Sequence, residues 1–316
     1  MGLLGLYIGA QLVALLLAVP FRSAGLVSNS NPQSAGAPLE IILIIVLAPL
    51  GILYLARRKG GLATLRYLIL FGIAASLYIT LYATFSILPP GLILLPPWGA
   101  ELVIDPALIL AATVSSSLYL ALLMEPQWYV VDLVGFLAAG SLIAILGISF
   151  AILPAFILLV ALMVYDAIAV YGTKHMVSLA EVVTDMKLPI LLVMPDSAGY
   201  DYAQAPTLKE QRAQPVEQRE ALFMGLGDVV IPGTLVVSAF IWLPAHPLLL
   251  GVGANLWAGL GALVGSLVGY AVLMRIVLRG NAQAGLPFLN GGALAGYIVV
   301  YVLIFHSLTL GLTGGL

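Results

Sequence analysis

The sequence predicts an all-α polytopic membrane protein of nine transmembrane helices. Three observations carry that prediction: a composition too apolar for water, apolar blocks long enough to cross a bilayer, and a lopsided placement of positive charge. Of the 316 residues 62% are hydrophobic and 8% are charged, against about 25% charged in a typical soluble domain. A soluble globule of this size could not cover its surface. The apolar residues fall in blocks of about 20, enough to cross roughly 30 Å of hydrocarbon as helices, whereas the tilted strands of a membrane barrel need only about 9 to 11 alternating residues.

Taken in order between polar or Pro/Gly breaks, the spans are 3–21, 39–56, 62–87, 102–124, 128–147, 152–173, 220–242, 252–278 and 287–307. The first lacks a basic start and is too long for the apolar core of a signal peptide, so it reads as a retained helix. Glu125-Pro126 separates the fourth from the fifth, and the stretch 147–154, bounded by Gly147 and Pro154, separates the fifth from the sixth. The long polar connection 174–219, rich in Gln and Pro, separates the sixth from the seventh. It divides the chain into a six-helix part (1–173), a loop (174–219) and a three-helix part (220–316). Within the loop, 176–187 reads as a short amphipathic helix, 188–194 is an apolar run, and the remainder through Gln218 reads as a mobile linker.

Charge tests the count independently, because Lys and Arg stay on the cytoplasmic side. Nine spans place Arg57, Arg58, Lys59, Arg66, Lys174, Lys187, Lys209, Arg212, Arg219, Arg275 and Arg279 on one side and Arg22 alone on the other. Eleven against one puts the N-terminus and the 174–219 loop in the cytoplasm and the C-terminus outside.

Other classes of function drop out. The net charge is −2 with no basic stripe to follow a phosphate backbone, so nucleic acid is not an expected partner. The chain has no cysteine, which removes thiolate chemistry. His175, His246 and His306 are scattered near segment ends and share no helical spacing, so neither a metal nor a cofactor is expected.

Ionisable side chains within a bilayer are costly, and each is a functional candidate. Glu40, Glu101, Asp105 and Asp132 lie within a turn or two of a span boundary, where interfacial solvation suffices. Asp166 and Asp228 do not. Asp166 precedes Lys174 by eight residues and Asp228 follows Glu220 by eight, so on successive antiparallel helices both carboxyls lie about 12 Å inside the cytoplasmic face at 1.5 Å per residue. Two acids at one depth can face each other, and like charges a few ångströms apart hold one proton between them. That is the requirement of aspartyl protease chemistry. Gly225 and Gly227 remove side chains just before Asp228, allowing another backbone to approach. Pro232 takes away the helical donor to the Asp228 carbonyl, and Gly233 loosens the next step. Tyr165 brings a hydroxyl beside Asp166. Gly261, Gly265 and Gly269 read as a helix-packing notch.

Tyr165-Asp166 in a sixth helix, Gly225-Leu226-Gly227-Asp228 in a seventh and Pro287-Phe288-Leu289 at the start of a ninth resemble the Tyr-Asp, Gly-x-Gly-Asp and Pro-Ala-Leu motifs of the presenilin and signal peptide peptidase family. The third departs from the pattern, with Phe288 in place of alanine. The resemblance extends to motif order and the nine-span layout. It implies a presenilin-like bundle, Asp166 and Asp228 as catalytic aspartates, and Pro287, Phe288 and Leu289 as a segment that shapes the site and engages substrate. It also implies transmembrane helical proteins or peptides as substrates. The inferred orientation is that of presenilin and opposite to signal peptide peptidase. Short loops point to a minimal microbial version, archaeal by expectation, with homo-oligomerisation left open.

Two other readings compete: a prepilin-type aspartyl peptidase, disfavoured by nine spans and by Tyr-Asp, and a proton- or ion-coupled transporter or channel using the buried acids. For a protease, the substrate helix must unwind, and in hydrocarbon its freed backbone groups need partners. Residues 222–225 and the backbone around 286–289, where Pro287 interrupts regular helix, are the expected extended edges.

Overall fold

The computed structural model describes residues 2–29, 31–86, 105–172, 220–248, 251–278 and 283–312, together with 182, 184, 186–197, 199–202, 204, 206 and 210. Among these the helices, numbered in chain order, are α1 (Gly2–Ser23), α2 (Ala37–Ala56), α3 (Gly61–Phe85), α4 (Pro106–Met124), α5 (Trp128–Ser149), α6 (Ile152–Ala167), α7 (Leu226–Trp242), α8 (Ala254–Val277) and α9 (Leu286–Phe305). A π-helical turn, Ile168–Gly172, continues α6, and two strands, β1 (Leu191–Pro195) and β2 (Ala221–Gly225), precede α7. The polytopic helical fold expected from the apolar blocks is the fold observed.

Two departures matter for the site. The seventh helix begins at Leu226: the extended edge expected at 222–225 is present as β2, which takes the first residues of the 220–242 span out of the helix. An apolar run such as Ala221-Leu222-Phe223-Met224 fits a buried strand as well as a buried helix. Gly225 and Gly227 weaken helix locally by about 1 kcal/mol each, while β1 supplies the missing hydrogen-bond partners. The sixth helix changes to π geometry directly after Ala167 rather than running regularly to 173; such turns recur at functional positions.

The strands form an antiparallel pair with Leu192 opposite Met224 and Met194 opposite Leu222. Beyond the ladder, the Asp196 N–H donates to the Glu220 carbonyl at 2.9 Å and the Leu226 N–H to the Ile190 carbonyl at 2.9 Å. Bonded pairs in an antiparallel ladder recur every second residue, so residues 192, 194, 222 and 224 bond across the hairpin. Val193, Phe223 and Gly225 turn their backbone groups outward.

The hairpin rests on α5, a largely enclosed span, 72% buried over its most apolar stretch against 6% for α2. Here the reading of Asp132 as an interfacial acid is overturned. Asp132 is 6% exposed, and its Oδ1 accepts the Val193 N–H at 2.7 Å, because the start of α5 is covered by β1 rather than by headgroups. Asp105 does behave as an end residue, capping α4 by accepting the Ala107 N–H at 2.9 Å, and Glu40 is exposed in the first turn of α2. Glu101 lies outside the described residues, as does most of the expected 176–187 helix.

Nor is the stretch after β1 wholly a mobile linker. Tyr200 and Tyr202 are buried with Leu188, Val193 and Ala221 in a second apolar core against α3, α4 and α5. Lys187 Nζ lies 4.6 Å over the Tyr202 ring. Burial holds the Tyr202 phenol above its ordinary range, so it remains neutral.

The main core joins α1, α5, α6, α7, α8 and α9. Arg22, at the end of α1, stacks 4.7 Å over the Trp242 ring at the end of α7, while Gly2 at the start of α1 touches Met194 of β1. Helices α1 and α7 therefore run the same way from the hairpin end. Gly233 also serves packing: a Cβ there would stand 2.9 Å from Ile143 of α5. The α8 glycines form the expected notch. A Cβ at Gly265 would strike the Gly292 carbonyl and the Gly296 backbone, and one at Gly269 the Phe288 carbonyl, so α9 lies directly on α8.

This packing predicts that Gly265→Ala destabilises the protein by about 1 to 3 kcal/mol. The measurement is a lowered thermal midpoint in detergent, compared with Gly5→Ala, whose added carbon meets nothing within 4 Å and which should leave the midpoint unchanged or slightly raised.

Candidate active site

The site is built from three helix ends: the close of regular α6, the start of α7 and the start of α9. Gly285 is the residue before α9, with Pro287 in the first turn. A helix N-terminus carries donors with no partner in its own helix, and in hydrocarbon each would be expensive. Here every one of the first donors is accounted for. The Leu286 N–H donates to Asp166 Oδ2 at 3.0 Å, and the Gly285 N–H also bonds the Asp166 carboxylate. Pro287 has no N–H to satisfy. Phe288 and Leu289 both donate to the Gly285 carbonyl at 3.1 Å. Asp166, buried at 6% exposure, thus caps α9 from another helix, with its negative charge at the positive end of the helix dipole.

Asp228 lies in the first turn of α7, three residues after Gly225, and is partly buried. Its carboxyl meets the same Gly285 from the other side: a Cβ at Gly285 would stand 2.8 Å from Asp228 Oδ1 and 3.0 Å from Cγ and Oδ2. The two acids, separated by 62 positions in the chain, converge on one residue. Asp166 acts electrostatically on Asp228.

The space that the sequence expected Gly225 and Gly227 to leave beside Asp228 is present, and a further close approach occurs at Gly285. A Cβ at Gly225 would make only ordinary contact with Asp228 Oδ2 at 3.5 Å, and one at Gly227 would meet nothing within 4 Å. Those glycines form a strand-to-helix corner and leave open space beside the acid. The glycine that a side chain would crowd is Gly285, directly before the third motif, and its position before Leu286-Pro287 was the available signal. The expectation of an extended edge at 286–289 is corrected. The first turn of α9 is helical, because the fixed φ of proline suits that position and the preceding amides bond Asp166.

The other candidates divide. Leu226 is buried and fastens the corner to β1 through its N–H. Tyr165 is partly buried beside Asp166, packed on the main core. Leu289 is fully buried and Phe288 lies with its carbonyl on Gly269; both seat α9 against α8. Residues the sequence reading missed include Tyr171, in the π-helical turn. Its hydroxyl bonds Gln283 Oε1 at 2.8 Å and accepts the Ala284 N–H at 3.3 Å, holding the segment that leads into Gly285. Tyr7, fully buried on α1, brings its hydroxyl within electrostatic reach of Asp228.

A polytopic helical bundle with two acids converging between its spans defines a class, the intramembrane aspartyl proteases. The comparisons give the family. The model for "Signal-peptide peptidase, presenilin aspartyl protease" matches residues 4–306, and the chain belongs to that family. Two solved structures of a presenilin family intramembrane aspartate protease are similar to it. One, in a C222 crystal form, has 31% identity, covers 96% of this chain and 100% of its own, and superposes with a TM-score of 0.64. The other, in a P2 form, has 33% identity, covers 96% and 97%, and superposes at 0.60. No curated protein matches the chain.

The contact at Gly285 predicts that Gly285→Ala lowers kcat/KM at least tenfold while leaving the thermal midpoint within a few degrees, because the added methyl displaces the Asp228 carboxyl. Gly291→Ala, one turn further along α9 with nothing within 4 Å, should cleave at the wild-type rate in the same peptide assay.

Proposed function

We propose that Asp166 and Asp228 are the catalytic pair of this intramembrane aspartyl protease, and that it hydrolyses peptide bonds within single-span helical substrates. The observation that carries the assignment is the meeting of both carboxyls at Gly285. With one proton shared, the ionised carboxylate takes a proton from water as the water oxygen attacks the scissile carbonyl carbon. The protonated partner gives its proton to the carbonyl oxygen. The tetrahedral intermediate collapses with a proton delivered to the departing nitrogen, the C–N bond breaks, and a new carboxyl and amine leave.

The substrate is read by its backbone. Phe223 and Gly225 face outward from the hairpin, so an unwound segment can add to β2 as a third strand and arrive beside the open corner at Gly227 and Asp228. Strand addition answers the cost of unwinding, since it supplies partners for the groups that leave the substrate helix. Residues 286–289 are not available for this, being helical. Positive charge sets the orientation in the membrane: N-terminus and the 174–219 loop inside, C-terminus outside. The placement of the hairpin beside Gly2 supports that reading.

The test is purified protein with a labelled helical peptide and mass spectrometry of the fragments, which a transporter would not produce. Asp166→Asn and Asp228→Asn should each lower kcat at least about a thousandfold with the fold retained, and the double variant should be no worse, since groups acting as one unit give non-additive losses. Activity should follow a bell in pH, falling on the acid side when both carboxyls are protonated and on the alkaline side when both are ionised. Substrates with Gly or Pro near the scissile bond should be cut faster than strongly helical ones, measured as kcat/KM on paired peptides. Equal rates would remove the strand-addition step.

A further inference from the structure

We propose that Asp132, on α5, is a positioning residue for the substrate: it anchors β1 from behind, holding the hairpin so that the outer edge of β2 stays ordered for strand addition. The proposal rests on the reading of β2 as the substrate edge, and nothing in the dyad's chemistry calls for this third acid. A carboxylate buried to 6% exposure in a membrane helix needs a reason, and its partner supplies one. The bond from the Val193 N–H to Asp132 Oδ1, at 2.7 Å across 61 positions of the chain, has the length of a charge-assisted hydrogen bond.

The ladder shows why that amide is the one bound. Val193 points away from β2, so its N–H is an unpaired donor on the rear edge of the hairpin, which is where strand edges are most exposed to wrong pairing. Asp132 occupies it. The same face of α5 packs closely on the hairpin: a Cβ at Gly135 would lie 3.1 Å from Leu192, 3.2 Å from Leu226 and 3.5 Å from the Pro189 carbonyl. From the loop side the buried Tyr202 lies within electrostatic reach of Asp132. A two-stranded hairpin is marginal by itself, so its order depends on this docking. With the Val193 amide bonded to α5 and the front edge of β1 bonded to β2, the outer edge of β2 has no backbone partner among the described residues and can take a third strand, at the end nearest Asp228.

The experiment compares wild-type full-length protein in nanodiscs with Asp132→Leu, Asp132→Asn, Val193→Pro and the Asp132→Leu/Val193→Pro double variant. It measures KM and kcat on one single-span peptide and hydrogen exchange in residues 190–195 and 221–225. Asp132→Leu should raise KM about tenfold with kcat changed less than threefold, and hairpin exchange should quicken. Asp132→Asn, which keeps an acceptor oxygen, should restore most of both. Val193→Pro deletes the donor at a position where β2 needs no N–H, and should reproduce the rise in KM, with the double variant no worse than either single one.

Unchanged KM and unchanged exchange in Asp132→Leu would overturn the anchor and leave β2 as the substrate edge untouched. Faster exchange with unchanged KM would overturn the positioning role together with that reading of β2. Should Asp132→Leu fail to fold, Val193→Pro decides: wild-type KM and exchange there overturn the proposal.

Discussion

The hydrogen bonds from the Gly285 and Leu286 amides to Asp166 are the constraint on which the site depends. A helix that starts inside a membrane bundle exposes donors that water cannot reach, and something must accept them. Asp166 does so, and the requirement fixes several other features at once. It sets the depth at which α9 begins, it explains why a proline without an N–H follows immediately, and it puts the Gly285 backbone between two carboxyls. A side chain at Gly285 would crowd Asp228, so glycine there is what lets the second acid come in. Tyr171 secures the segment just upstream, which makes the junction of α6 with α9 a two-point attachment.

The same accounting of backbone partners explains the hairpin. A strand in a membrane bundle has two edges to satisfy. For β1 both are filled, by β2 on one side and at Val193 by Asp132 on the other. For β2 the β1 side is filled, and the outward groups belong to Phe223 and Gly225. The docking surface for an unwound helix and the stabilisation of the resting hairpin are thus one arrangement, differing in which edge is considered. A strand edge that binds by backbone groups alone has no need of particular side chains in what it binds.

Much of this was legible in sequence because membrane burial converts directly into composition. Runs of apolar residues gave the nine helices and their order, and acids distant from any span end gave Asp166 and Asp228. What escaped has a common physical cause: it depends on contacts between residues remote in the chain. Asp132 sits near a span boundary and reads as interfacial until β1 is seen to cover it. The extended edge at 222–225 was legible from the need to bind an unwound substrate, but its partner β1 was not, because 188–194 reads only as an apolar run until the two strands are seen paired. Beyond its position before Leu286-Pro287, Gly285 carried no signal of its own, since its crowding by Asp228 arises from a residue on another helix 57 positions away. Tyr171 carried no signal, since the π-helical turn that aims it is invisible to periodicity.

The convergence of helix ends, rather than helix faces, is itself a mechanistic requirement. Two packed helices stand about 8 to 10 Å apart with side chains filling the gap, so acids projecting from the middles of regular helices could touch each other but would leave no channel for a third backbone. Ending regular α6 one residue after Asp166, starting α7 two residues before Asp228 and starting α9 between them opens the interior while the helix ends find backbone or side-chain partners. At each end a partner is in place: α9 has Asp166, the first N–H of α7 has the Ile190 carbonyl, and α6 widens into a π turn whose Tyr171 reaches across. On the proposed strand addition, a substrate backbone would come within reach of both carboxyls along β2, where the fold has already replaced helix with strand.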